Sequence, residues 1–380
     1  MGADVVKVEP PAGDPDRRIG PWLIAEPDDE RGAWWLACNA GKRSVTLNLE
    51  SHAGRVLFRR LAAEADIVVE SFAPGCMDGL HIGYSALEAK TPALIYVSIT
   101  PYGSEGPYAR YRGSDLTALA MGGLMFSQGD GDRSPVGFSL PQASLHAGVE
   151  GAAGALFAYI ERQQSGRGQF VDVSTEEAVN WTLMNIVQFW DVMGLEVTRG
   201  GAQRRRPDGA RIRVHWPCKD GYVTFMGRND YQGLAAWMRA EGFSSDAVLD
   251  RDWSTVTPWA LTQDDIDRLE SLVGPFFAQR TMEDLYAAAI KWRFILYPVY
   301  TVGDLLNYSQ LREREFFVQV ADSAPGETLT YPGSFVKTSE ATPRVQGRAP
   351  RLGEHNRAVY QGELGFSNLQ LTALRRAGAV

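Results

Sequence analysis

The chain has 380 residues, enough for two domains, and carries a formal net charge of −8 with a pI near 5.3. This acidic balance does not favour binding to nucleic acid or to an anionic membrane. No apolar run reaches the roughly 20 residues of a membrane span. The first residues also lack the basic and apolar segments of a signal peptide. We therefore expect a cytoplasmic protein without a membrane or nucleic-acid partner.

The cysteines and the glycine motifs exclude several kinds of site. Cys38, Cys76 and Cys218 are widely spaced and form no CxxC pair. We therefore expect neither a disulfide framework nor a metal site. The sequence contains no G-x-G-x-x-G and no G-x-x-x-x-G-K-[ST] motif, which weighs against a nucleotide-dependent oxidoreductase or a kinase.

Strand-like and helix-like segments alternate through the first hundred residues. Strand patterns indicate an open parallel sheet when helices separate them, and ligands then lie beyond the carboxyl ends of the strands. The predicted strands are 5–8, 65–70 and 94–99, and the predicted helices are 54–65 and 84–90.

A longer helix follows the loop that ends at Pro141, and Ser144 is predicted to be its N-cap. Three glycines inside it, at 148, 151 and 154, predict that another backbone or a ligand comes close. The turn at 166–168 ends the helix, and residues 169–173 alternate as a strand. Apolar residues recur along one helical face, at Leu145, Val149, Ala152, Ala153, Leu156, Phe157 and Ile160.

The second half of the sequence is predicted to contain a smaller domain. A long helix over residues 176–193 closes the first half, and residues 200–207 are predicted to be a polar linker. A turn and strand begin at His215. Helices are predicted at 230–242, 263–277 and 282–291.

Several ordered motifs together resemble one enzyme family. They are EPPAGDP at 9–15, NAGKRSVTLNL at 39–49, TPYGSEGPY at 100–108, SGRGQFVDVS at 165–174 and PRLGEHN at 350–356. Their order and spacing resemble the class III CoA-transferases of the CaiB/BaiF group, which includes formyl-CoA transferases and α-methylacyl-CoA racemases. The resemblance covers almost all 380 residues.

The resemblance implies an α/β fold with an open parallel, Rossmann-like large domain and a smaller α+β domain. It places the large domain at 1–200, the small domain at 201–330 and a segment returning to the large domain at 331–380. It also implies two protomers that interlock like links of a chain. Family members have a first strand and helix before the strand at 5–8, so we expect that the true start of the protein lies upstream.

In the family, an aspartate at the start of the long helix attacks the acyl-CoA thioester and then carries CoA as an aspartyl thioester. Counting back from Gly148 and from the turn at 166–168 puts Ser144 at that position. A serine ester has no second carbonyl to accept CoA, so Ser144 is expected to be inactive. Asp115 is the candidate for a replacement carboxylate, or else a helix N-terminal charge. Ser114 and Ser144 stand where the racemases have an acid–base pair, which disfavours proton transfer.

The resemblance also predicts a CoA site. Lys42 and Arg43 form a basic pair that is either a solvated surface pair or lies near CoA phosphates. Glu50 and Gly79 stand where relatives often have basic residues, which is expected to weaken the binding of a polyanion. CoA or acyl-CoA is then a substrate, with no covalently bound cofactor. The residues implied in its binding are Lys42, Arg43, Leu47, Ser71, Phe72 and Leu80.

Three interpretations of function remain open. We favour a family subunit involved in CoA transfer between an acyl-CoA and a carboxylic acid, as the non-catalytic half of a complex with a paralogous subunit. The alternatives are an active homodimer that uses a different carboxylate, and an acyl-CoA-binding or isomerase relative. The sequence does not identify the acid substrate. His215, Trp216 and Arg293 are candidates to face it, with structural packing as the other interpretation.

Overall fold

The computed structural model describes residues 2–23, 28–206, 208–227, 231–243, 246, 249–257, 260–321, 328–340 and 343–380. The strands are β1 Val6–Glu9, β2 Arg43–Thr46, β3 Ile67–Glu70, β4 Ile95–Thr100, β5 Phe170–Ser174, β6 Gln203–Arg205, β7 Arg211–Arg213, β8 His215–Cys218, β9 Gly221–Phe225, β10 Leu296–Pro298, β11 Phe317–Ala321 and β12 Thr328–Pro332. The helices are α1 Ala33–Asn39, α2 His52–Ala63, α3 Cys76–Gly79, α4 Tyr84–Glu88, α5 Asp115–Met121, α6 Gln142–Ser165, α7 Thr175–Trp181, α8 Met184–Met193, α9 Tyr231–Ala240, α10 Gln263–Ala278, α11 Met282–Trp292, α12 Val302–Asn307, α13 Ser309–Glu313 and α14 Asn368–Arg376.

The chain divides into two compact units that are each built from separate segments. The first unit comprises Met1–Arg112, Gly148–Val173 and Val302–Val380, and the second comprises Gly113–Ala147 and Ser174–Thr301. The boundaries at residues 200 and 330, which the family resemblance implies, stay a prediction. No helix in the described ranges is long and apolar enough to cross a membrane.

Parallel strands and helices in the first unit confirm the predicted α/β class. β1 pairs with β2 in parallel, and β3 pairs with β4 in parallel, with β5 next to β4. Among the described residues these strands form two separate hydrogen-bonded sheets. Both sheets contribute to one hydrophobic cluster that includes Val8, Val45, Val68 and Tyr96. The predicted strand and helix bounds in this region are correct to within two residues.

The C-terminal segment of the first unit binds β2 through side chains. The Nδ1 atom of His355 accepts the Ser44 N–H at 3.2 Å, and the amide of Asn356 bonds both the N–H and the hydroxyl of Thr46 at 2.8 Å. The Tyr360 hydroxyl donates to the Thr46 carbonyl at 2.8 Å. Residues more than 300 positions apart thus satisfy the backbone of β2.

The start of α6 differs from the prediction. The helix begins at Gln142, so Ser144 lies in its first turn and the N-cap assignment was wrong. The reason is a long-range contact. Ser144 donates to the carboxylate of Asp115 instead of accepting a bond from its own helix. No local capping rule detects an acceptor that lies 29 residues away.

Two glycines of α6 pack against side chains, which corrects the expected backbone or ligand contact. A Cβ at Gly151 would lie 2.8 Å from the Cδ1 atom of Ile99, and one at Gly154 would lie 2.8 Å from Cγ1 of Val171. At Gly148 a Cβ would meet no atom within 4 Å. Two of the three glycines therefore allow α6 to approach the sheet closely.

Two predictions about the second unit were wrong. The helix expected over 176–193 is two helices, α7 and α8, because the N–H groups of Thr182 and Leu183 bond to carbonyls three residues back. This tight turn ends the regular helical ladder. The expected linker at 200–207 contains β6, which pairs with β7. Its polar residues hid the strand, because an exposed hairpin needs few apolar side chains.

The second unit has an antiparallel sheet in the order β10–β9–β8, packed on helices. Thr262 and Thr281 form capping boxes that start α10 and α11, so the predicted bounds 263–277 and 282–291 are correct to within one residue. The helix predicted at 230–242 is α9, and residue 230 lies outside the described residues. Aromatic rings dominate the core, among them Trp216, Phe225, Trp237, Phe276 and Phe277.

Candidate functional site

The first turn of α6 meets the first turn of α5 through one carboxylate. Oδ1 of Asp115 accepts the backbone N–H of Ser144 at 2.8 Å and its Oγ–H at 3.0 Å. Asp115 is the first residue of α5 and follows the N-cap Ser114, which forms a capping box with Thr117. The two positions singled out in the sequence are therefore direct neighbours.

This contact gives Asp115 a structural role. Its carboxylate satisfies an N–H in the first turn of α6 and lies at the positive end of the helix dipole. The Ser144 hydroxyl is exposed, and its hydrogen is directed to that same oxygen. Oδ2 of Asp115 accepts no hydrogen bond from any residue that the structure describes. One carboxylate oxygen thus remains available to solvent or substrate.

Other ionisable groups on α6 form no recognisable centre. His146 and Glu150 are half-buried, on the same helix as Ser144. The described part of the chain contains no group of three His, Cys, Asp or Glu side chains arranged to hold a metal ion.

Arg43, one of the residues predicted to bind CoA, is neutralised by two carboxylates. It donates to Asp4 at 2.9 and 2.6 Å and also to Glu363. Burial disfavours its charge, but the bonds to Glu363 and Asp4 outweigh this effect and raise the pKa of the Arg43 guanidinium. The hydrogen-bond donors of the Arg43 guanidinium are therefore occupied within the chain.

Lys42, the other member of the basic pair, is also engaged within the chain. Its Nζ atom donates to Oδ1 of Asn39 at 2.9 Å. Burial, and then the charge of nearby Lys7, lower the pKa of Lys42. Among the apolar members of the predicted set, Leu47 is fully buried in the core, and Leu80 is half-buried against it.

The turn after β3 holds the remaining predicted CoA residues, Ser71 and Phe72, which are both exposed. The Phe72 N–H, a group suited to a phosphate oxygen, is donated to Oε2 of Glu70 at 2.7 Å. Burial raises the pKa of this Glu70 carboxyl. An acidic side chain thus occupies the backbone donor at this turn. The assignment of all six CoA residues stays a prediction.

The three candidates for contact with the acid have different surroundings. Trp216 is buried, and its indole N–H donates to the Phe225 carbonyl at 3.0 Å, as expected for a packing role. His215 is exposed, with Nδ1 3.0 Å from the Thr224 hydroxyl. Arg293 is exposed and ends α11 in the left-handed region at φ 59°.

Sequence reasoning missed the surface of α8. This ten-residue helix, MNIVQFWDVM, has no buried residue, and Trp190 and Val192 are 63% and 77% exposed. Seven of the ten residues are apolar, and exposed apolar surface of this extent is normally covered. The signal was readable, because the apolar residues can be counted in the sequence. On α6, the face that was expected to be apolar is also exposed, with Phe157 at 74%.

Comparison with known proteins places these features in context. The sequence profile of CoA-transferase family III matches residues 1–356. Subunit BbsE of the succinyl-CoA:(R)-benzylsuccinate CoA-transferase of Thauera aromatica is 36% identical over 386 aligned positions, covering 100% of this chain and 92% of BbsE. The beta subunit of the succinyl-CoA–L-malate CoA-transferase of Chloroflexus aurantiacus is 31% identical, covering 99% of this chain and 91% of that subunit. The crystal structure of a CAIB/BAIF family protein from Brucella suis is 29% identical, with a TM-score of 0.82, covering 95% of this chain and 92% of that one.

Proposed function

The chain belongs to CoA-transferase family III, and on that premise we propose that it is the non-catalytic subunit of a hetero-oligomeric enzyme. The enzyme moves CoA between an acyl-CoA and a carboxylic acid. The observation that carries this proposal is the bond from the Ser144 hydroxyl to Asp115. The hydroxyl stands at the helix start and serves as a hydrogen-bond donor, and its ester could not accept CoA.

The contacts of the residues predicted to bind CoA support the same conclusion. Arg43 is paired with Asp4 and Glu363, Lys42 has a lowered pKa, and Glu70 occupies the Phe72 N–H. The Arg43 guanidinium and the Phe72 N–H, which could otherwise bind phosphate oxygens, are thus engaged within the chain. We therefore expect the chain on its own to bind a polyanion only weakly at these residues.

The exposed apolar helix α8 supports a protein partner. Contiguous apolar surface of this kind marks protein–protein contacts in soluble proteins. Two of the relatives named above are themselves described as subunits. We propose that a paralogous subunit with an intact catalytic aspartate covers this surface. The interlocked arrangement of the pair stays a prediction.

The names of those relatives also indicate which acyl-CoA to test as the donor of CoA. Both the BbsE-containing enzyme and the malate enzyme are named for succinyl-CoA. We therefore propose succinyl-CoA as the first donor to test, with a carboxylic acid as acceptor.

The test uses the complex purified with the paralogous subunit. We expect Ser144→Ala and Asp115→Asn in this chain to leave transfer from succinyl-CoA within about threefold of the unsubstituted complex, because neither side chain carries an acyl group. Transfer rates are measured by chromatography of the CoA esters. A loss of activity with Asp115→Asn in a complex that still assembles would defeat the non-catalytic assignment.

A second candidate function rests on Oδ2 of Asp115. An active transferase in which this carboxylate replaces the family aspartate would form its acyl and CoA adducts there. Incubation of the chain with succinyl-CoA, followed by digestion and mass spectrometry, would then give a CoA-sized adduct on the peptide containing Asp115. The proposal of a non-catalytic subunit expects no such adduct.

The partner surface gives a separate prediction. We expect Trp190→Lys to weaken association with the paralogous subunit about 30-fold, since a buried tryptophan at an interface contributes about 2 kcal/mol. Gln188→Lys is the matched control, because it adds the same charge at another exposed position of α8. Dissociation constants are measured by biolayer interferometry. A Trp190→Lys variant that binds the paralogous subunit as tightly as the unsubstituted chain would place Trp190 outside the interface.

A further inference from the structure

The hairpin of β6 and β7 carries two arginines directly opposite each other. In the antiparallel register Arg205 faces Arg211, and Arg204 faces Ile212. Alternate residues of a strand lie on opposite faces, so Arg205 and Arg211 share one face and Arg204 lies on the other. Ile212 packs against the core of the second unit. The face with Arg205 and Arg211 is thus directed away from that core.

These two arginines occupy the closer kind of cross-strand pair. The Arg206 N–H donates to the Ala210 carbonyl at 2.7 Å, and that hydrogen-bonded pair lies immediately beside Arg205 and Arg211. Hydrogen-bonded and non-hydrogen-bonded pairs alternate along an antiparallel ladder. Arg205 and Arg211 therefore form a non-hydrogen-bonded pair, in which Cα atoms are about 4.5 Å apart and side chains are closest.

In the part of the chain that the structure describes, no carboxylate pairs with Arg205 or Arg211. Among the described residues, Arg205 and Arg211 form no ion pair, and both are exposed. The neighbouring cations are paired, Arg206 with Asp208 and Arg213 with Glu270. Like charges directly opposite on a sheet are destabilising. Within the described residues, this exposed cationic pair therefore has no ion-pair partner that offsets the repulsion.

The backbone at Arg211 is held in place from outside the hairpin. The Gln263 side chain accepts the Arg211 N–H at 2.8 Å and donates to the Arg211 carbonyl at 3.2 Å. Gln263 is the first residue of α10. This two-point contact fixes β7, so the hairpin does not relieve the repulsion by separating at this position.

We propose that Arg205 and Arg211 form a binding site for an oxyanion of charge near −2, either a phosphate monoester or a dicarboxylate. Two guanidinium groups at directly opposite strand positions carry a charge of +2, which matches the charge of such a ligand. Each group can bind the ligand's oxygens bidentately. The 3′-phosphate of CoA and a dicarboxylic acid both have this chemistry. The choice between these two sources rests on the proposed function, but anion binding itself does not.

The first test uses inorganic phosphate and the purified chain. Phosphate raises the melting temperature of the unsubstituted chain, and the double substitution Arg205→Ala and Arg211→Ala weakens the apparent affinity at least about 10-fold. Arg204→Ala is the matched control, since it removes an adjacent exposed arginine from the opposite face, and it leaves the affinity within about twofold. Equal stabilisation of all three proteins by phosphate overturns the site.

The melting temperature without ligand separates binding from a structural role. Removal of two repelling charges leaves the melting temperature of the double variant unchanged or raises it. A clear decrease in the absence of anion shows that the pair supports the hairpin, and this result overturns the proposal.

Two further titrations by calorimetry distinguish the ligand sources. A preference of about 10-fold for CoA over 3′-dephospho-CoA that disappears in the double variant assigns the phosphate monoester. A preference for succinate over butyrate that disappears in the same variant assigns the dicarboxylate. If neither preference depends on the two arginines, the proposal fails. These readouts are independent of turnover, so loss of the proposed transferase role leaves them unaffected.

Discussion

The purified chain alone should transfer CoA from succinyl-CoA at least about 10³-fold more slowly than its complex with the paralogous subunit, because loss of an essential nucleophile removes most of the rate enhancement. The physical reason lies at the start of α6. Ser144 offers a hydroxyl whose adduct is an ordinary ester, and Asp115 is used to bind the Ser144 N–H and Oγ–H. We therefore propose that neither side chain carries an acyl group that exchanges with CoA.

The measurement compares equal molar amounts of the lone chain, the lone paralogue and the co-purified complex. Initial rates are taken from the disappearance of succinyl-CoA. As a control, the paralogue with its catalytic aspartate replaced by asparagine should reduce the complex to the rate of the lone chain. Transfer by the lone chain at a rate comparable to the complex would refute the assignment and favour Asp115 as the carrier.

Replacing Arg17 by methionine should lower the free energy of unfolding of the first unit by about 3–5 kcal/mol, because the change leaves a buried carboxylate without its cation. Arg17 and Glu9 are 1% and 0% exposed. The Arg17 guanidinium donates to Oε2 of Glu9 at 2.7 Å and to Oε1 at 2.8 Å. It also lies 3.8 Å from the centroid of the Trp35 ring.

The network around Arg17 connects distant parts of the chain. Arg17 donates to the Pro350 carbonyl at 3.2 Å, and the Ser44 hydroxyl donates to Glu9 at 2.5 Å. Loss of the guanidinium therefore removes a contact between the C-terminal segment and the loop after β1. A buried polar network destabilises the folded state when one of its hydrogen-bonding partners is removed.

Urea unfolding followed by tryptophan fluorescence measures the effect. Arg18→Met is the matched control, since Arg18 is an exposed neighbour that pairs with the exposed Asp29 at 3.5 Å, and we expect a change below about 0.5 kcal/mol. A second variant combines Arg17→Met with Glu9→Gln, which removes both charges and should recover part of the loss. If Arg17→Met behaves like Arg18→Met, the ion pair contributes little to folding.

Much of the local structure was predictable because local rules produced it. Alternating strand and helix patterns predicted the parallel strands β3 and β4, and apolar periodicity predicted the bounds of α10 and α11. The first turn of α6 was mistaken because Asp115, a distant residue, supplies its acceptor. The strand β6 was missed because exposed arginines conceal the apolar alternation on which strand prediction depends.

The sequence by itself determined the family, the α/β class and the hydroxyl at position 144, because motif order, periodicity and residue identity are properties of the chain. Tertiary structure alone decided that Asp115 binds Ser144, that Arg43 is neutralised by Asp4 and Glu363, and that Arg205 faces Arg211. The contacts of Asp115 and Arg43 depend on where distant segments meet, and the Arg205–Arg211 pair depends on the register of its hairpin. Hydrogen bonds and ion pairs act over only a few ångströms, so the partners of a polar group follow from the fold and not from its neighbours in sequence.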